Sequence, residues 1–149
     1  MKMYILCHNW LSDRQHGIQS NHALTRMPIL YTNDDFQKDY DKWVKNHQTM
    51  VFLKGGGHAN LLDWELDLLT LNKIGLSVYP TQFCEDAESL NGACTSVVFL
   101  ANDAVCEILE SFNDNRADVN MQVMTLKEEY GLSSDNINTI ARIANARLA

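Results

Sequence analysis

The chain opens with one compact apolar run, MYILCH (3–8), and produces no second one until TMVFLK (49–54). The residues between read as helix. Strands separated by helical stretches constrain the fold more than any other feature, because helices that cross between strands must cover the faces of a shared sheet. TMVFLK is continuously apolar in its middle, which predicts a strand buried on both faces, and the triple glycine 55–57 ends it. HANLLDWELDLLTLNKIG (58–75) has leucines at helical spacing and Gly75 as its stop. LSVYPTQF (76–83) alternates as strands do, and ACTSVVFLA (93–101) is rich in β-branched residues.

The order strand, helix, helix, strand, helix, strand, strand predicts an α/β domain over residues 1–102, a small mixed four-stranded β-sheet flanked by helices. Residues 103–149 read as a C-terminal helical extension packed on the same domain. Its last stretch places Ile137, Ile140, Ala141, Ala144 and Leu148 on one stripe, and NDNRAD (113–118) reads as a hinge or flexible loop. The extension is either an accessory layer or the element of a homodimer.

Composition narrows the function classes. The 149 residues are 46% hydrophobic and 21% charged, as in globular chains that bury a real core. No apolar run is long enough to span a bilayer and the N-terminal run lacks a cleavage signal, so a cytoplasmic protein with no membrane partner is expected. The net charge of −7 argues against broad adhesion to nucleic acid and asks for a local basic patch instead. Arg14, Arg26, Lys38, Lys42 and Lys45 all fall in the first two helical stretches, interspersed there with Asp34, Asp35, Asp39 and Asp41. The four cysteines, Cys7, Cys84, Cys94 and Cys106, have no Cys-x-x-Cys spacing and read as reduced packing thiols. LKGGGH lacks the spacing of a phosphate loop, and His47 and His58 lack ligand neighbours, so neither a metal nor a cofactor is expected.

The first helix carries the most informative pattern. Ser12-x-x-Gln15 is a capping box, and Gln15, Gln19, His22 and then Arg26 follow on one face. That stripe is polar and hydrogen-bonding where a covering helix would be apolar. Gly17 in its interior means either a tolerated loss of stability or the close approach of another backbone. Pro28 is placed to kink or end the helix, and Thr32 and Asn33 are caps for a second one reaching His47.

The opening strand KMYIL, the helix with QSNHA, TMVFLK and the leucine-rich helix ending NKIGLSV together resemble the type II peptidyl-tRNA hydrolase family, over residues 2 to about 101. Phe83, Glu85 and Thr95 resemble the short phage-type members, which would place the protein in a host-cell cytoplasm. The resemblance implies a small mixed sheet and hydrolysis of the ester between a peptide and the terminal ribose of a tRNA, without metal. It implies His22, Glu85 and Thr95 as catalytic residues and Gln15, His16, Gln19 and Arg26 as contacts to a tRNA acceptor end. Gln15 stands where the family has a lysine, with His16 beside it, and His8 and Trp10 stand where it has an arginine and an aspartate. These departures open the alternative of a relative that has lost the reaction and binds a nucleotide or short RNA end.

Overall fold

The computed structural model describes residues 1–113, 119–146 and 148. β1 (Lys2–His8) leads into α1 (Asp13–Leu30) and α2 (Asp34–Lys42), which a π turn (Trp43–His47) extends toward β2 (Met50–Gly56). α3 (His58–Lys73), β3 (Val78–Cys84), the single turn α4 (Ala87–Leu90) and β4 (Cys94–Ala101) follow. Then come α5 (Asp103–Asn113), α6 (Val119–Tyr130) and α7 (Ser134–Ala144). The strands form one mixed sheet in the order β2-β1-β4-β3, with β1 parallel to β2 and the other pairs antiparallel. This is the α/β architecture that the order of elements predicts.

The sheet is covered on both sides because side chains alternate along its two central strands. Met3, Ile5 and Cys7 of β1, with Val98 and Leu100 of β4, meet Ala23 and Met27 of α1, Phe36 of α2 and Trp43. Tyr4, Leu6, Val97 and Phe99 face the other way, onto Leu61, Trp64, Leu68 and Leu71 of α3. Ile108 of α5 and Ile137, Ile140 and Ile143 of α7 join that second core, so the chain beyond residue 102 shares it with the sheet.

Two expectations are corrected here. β2 is not buried through its middle: it is an edge strand, with Met50 and Lys54 exposed, Val51 and Phe52 half-buried on opposite faces, and Leu53 and Gly55 buried. On α7 Ile137, Ile140 and Ile143 are buried and Ala144 packs half-buried against the same core, while Leu148 leaves the expected stripe because the helix ends at Ala144. Leu148 is exposed and pairs through its backbone with Leu53 at the open edge of β2. The expected hinge at 113–118 lies, beyond Asn113, outside the described residues.

The opposite edge, β3, is closed by side chains. Asn72 donates to the Val78 carbonyl at 2.6 Å, Tyr31 to that of Pro80 at 2.6 Å and Arg26 to that of Gln82 at 3.4 Å. Glu65 lies beside the same strand end, where burial lifts its carboxyl above the usual range against the opposing influence of the Gln82 backbone and Arg26. Every outward carbonyl along Val78, Pro80 and Gln82 is thus engaged, which blunts an edge that would otherwise template another strand.

Candidate functional site

β1 and β2 run parallel side by side, yet the helices that follow them leave in opposite directions, α1 onto one face and α3 onto the other. Open sheets form a crevice at such a point, outside the carboxyl ends of the strands. Its walls are tied together: the Asn9 N–H donates to the Gly56 carbonyl at 2.9 Å, and Asn9 Oδ1 accepts from the Gly56 N–H at 3.2 Å. The Gly57 N–H is taken by Asn60 Oδ1 at 3.0 Å, so the amides of Gly56 and Gly57 are committed within the protein. Gly56 has φ of 95°, where a side chain would be strained and would strike Asn60.

At the same end of the sheet the register slips between Phe83 and Cys84. Phe83 pairs with Ser96 and Cys84 with Cys94, which leaves Thr95 as an extra residue on β4. Strict alternation from Val98 would aim Ser96 at α1 and Thr95 at α3. The bulge turns both toward α1: Ser96 Oγ donates to the Gln19 carbonyl at 3.0 Å, and Thr95 Oγ1 lies 3.4 Å from Gln19 Oε1. Gln19 Nε2 in turn donates to Glu85 Oε1 at 2.6 Å. Thr95, Gln19 and Glu85 therefore form one hydrogen-bonded chain, and its two ends fix which way the Gln19 amide points.

The remaining predicted residues divide around this chain. His22, one turn beyond Gln19, is exposed and stacks on Phe83 with ring centroids 4.7 Å apart. Among the described residues no hydrogen bond joins His22 to Glu85. Gln15 completes the capping box, its Oε1 accepting from the Ser12 N–H at 3.0 Å. His16 Nε2 lies 3.0 Å from the His8 carbonyl, which anchors α1 to the end of β1, and Arg26 holds the β3 edge. Lys42 and Lys45 pair with Asp103 and Asp41 at the far end of the sheet, beside the Met1 ammonium that also binds Asp103, so they lie away from Gln19.

The structure adds residues that the helix pattern does not disclose. Trp10 is 91% exposed and meets the His8 ring edge-on at 5.9 Å. With Leu11, Leu90, Ala93 and Thr95 these two line a cavity of about 330 Å³ that opens onto the polar chain at Thr95. Lys54 is exposed and lines the clefts on both sides of the Asn9–Gly56 tie, of about 360 and 280 Å³. Burial lowers the pKa of His8, and the neighbouring His58 and His16 lower it further, so His8 is neutral at pH 7. His58 Nδ1 accepts from the Cys94 N–H at 2.8 Å, which puts the proton of the neutral ring on Nε2. The signal for Trp10 was a tryptophan in the polar loop HNWLSD, where no core contact accounts for it.

The site is thus a neutral, hydrogen-bonding strip of α1 set against an acidic turn and a bulged strand, with an aromatic-walled cavity on one side and an exposed imidazole on the other. Among the described residues no group of three or more His, Cys, Asp or Glu side chains is arranged to hold a metal ion. No helix among the described residues is long and apolar enough to cross a membrane. No protein-family model matches the chain, and no curated protein matches it.

Proposed function

We propose that the protein is a peptidyl-tRNA hydrolase-like esterase that cleaves the bond between an acyl group and the terminal ribose of a tRNA. One observation carries the reading: Gln19, Glu85 and Thr95, drawn from a helix, a loop and a strand and separated by up to 76 residues, are hydrogen-bonded together beside an exposed histidine. In this reading His22 takes a proton from the attacking water as its oxygen bonds to the ester carbonyl carbon. The second N–H of Gln19 stabilises the oxyanion, and Thr95 contributes by donating to Gln19 Oε1 and so aiming that N–H. The carbon–oxygen bond to the ribose then breaks, and His22 returns the proton to the ribose oxygen.

Glu85 acts by holding the Gln19 amide in place. The terminal base is seated against Trp10 in the cavity next to Thr95, where an aromatic face recovers area that the free protein leaves in water. Lys54, with no ion pair among the described residues, supplies the local positive charge that an acidic chain needs to meet phosphate.

The test is release of the N-blocked amino acid from N-blocked aminoacyl-tRNA. Wild type is expected to turn over, with His22→Ala and Gln19→Ala each slowed about 10²–10⁴-fold. Absence of turnover in the wild type, with retention of a nucleotide, would replace this reading with the ligand-binding one. That second reading is favoured by one contact, since Glu85 grips Gln19 where a catalytic imidazole would be expected to have the carboxylate for itself.

A further inference from the structure

Cys84 and Cys94 have no part in that reaction, yet they are direct partners across the β3–β4 ladder. Both belong to the face covered by α3, whereas Cys7 lies on the other face and Cys106 on α5. Val78, Pro80 and Gln82 turn their carbonyls away from β4, and the Glu85 N–H donates to the Ala93 carbonyl at 3.0 Å. By that alternation the Cys84–Cys94 pair occupies a non-hydrogen-bonded position. There the Cα atoms of antiparallel strands approach to about 4.5 Å and side chains stand closest, within the roughly 4.4–6.8 Å that a disulfide spans. Cys94 is fully buried and Cys84 only half, so a small oxidant meets Cys84 first.

We propose that Cys84 and Cys94 are an oxidation site that closes to a reversible disulfide across the ladder beneath the Gln19–Glu85–Thr95 chain. With hydrogen peroxide as oxidant, the Cys84 thiol gives a sulfenic acid and one water. The Cys94 sulfur then bonds to the Cys84 sulfur and displaces the hydroxyl, which leaves as a second water with the Cys94 proton. Burial, reinforced by the adjacent Cys84 thiol, raises the pKa of Cys94. The resolving step is therefore slow at neutral pH and accelerates as pH rises. Cys84 and Cys94 immediately precede Glu85 and Thr95, so the bond clamps together the two strand ends that carry those residues. The proposal does not depend on which ligand the site takes.

Titrating the full chain with hydrogen peroxide, then digesting it without reductant for mass spectrometry, tests the inference. The expected product is the Cys84 peptide joined to the Cys94 peptide within one chain, free thiols falling from the four of the sequence to two, and full recovery with dithiothreitol. Cys84→Ser, at the half-buried position, is expected to abolish the cross-link while leaving the circular dichroism unchanged. Over-oxidation of Cys84 beside a still-free Cys94 thiol, or a Cys84 link between two chains, would overturn the proposal on wild-type protein alone.

Discussion

α1 and α3 start from the same end of the sheet, each after one of two parallel strands, and they bury opposite kinds of surface. α3 inserts Leu61, Trp64, Leu68 and Leu71 into its core, and Arg142 of α7 lies 3.6 Å over the Trp64 ring. α1 buries only Ser20, Ala23 and Met27 over eighteen residues. Small residues let α1 lie close to β3 and β4, and that closeness carries the Gln19 amide to Glu85 and Thr95. One helix secures the fold, and the other spends its docking face on holding polar side chains at the crevice.

If that division is right, the largest loss of stability comes from α3. Leu68 is fully buried in the core shared by the sheet, α5 and α7. Leu68→Ala is expected to cost about 2–5 kcal/mol, as lost transfer energy plus a cavity, read as a fall in the denaturant midpoint. Ala23→Leu addresses the other side of the comparison. Ala23 is fully buried against the sheet, so added methylenes push α1 outward at about 1–3 kcal/mol. The informative outcome is separation of effects: Leu68→Ala lowers stability with the site intact at low temperature, whereas Ala23→Leu also weakens the Gln19–Glu85 contact and slows turnover. Equal effects of both substitutions on turnover would erase the distinction between the two helices.

The contrast also explains how much could be read from the residues. Element order and the capping box at Ser12 and Gln15 were legible because periodicity and caps are local. The edge position of β2 was not, since an apolar run looks the same in a central strand as in an outer one that keeps one covered leucine. Stripe geometry placed Gln19 and His22 on one face, but no local rule joins Gln19 to Glu85; the resemblance named both residues without pairing them, and their hydrogen bond is seen only in the fold. The bulge that aims Thr95 at α1 is a mismatch between two strands, invisible in either one alone. Arg26 shows the converse: its place on the polar stripe suggested a ligand contact, and in the fold it lies against the Gln82 carbonyl at an edge that needed closing.

The smallest expected effect tests whether α1 is tuned for contact along its whole length or only where it meets the sheet. Gly17 lies in the helix between Gln15 and Gln19, and a Cβ built there has no atom within 4 Å, so no neighbouring backbone requires a glycine. The helix keeps the full entropic penalty of glycine without any packing return. Gly17→Ala is accordingly expected to stabilise the protein by about 0.5–1 kcal/mol, a small upward shift in the unfolding midpoint. Turnover should stay at the wild-type rate, because the Ser12–Gln15 cap and the Gln19–Glu85 contact lie on either side of the substituted position. A stabilised variant with impaired turnover would instead mean that flexibility at this point of α1 serves the site, and the exposed face would then belong to the working surface along with Gln19 and His22.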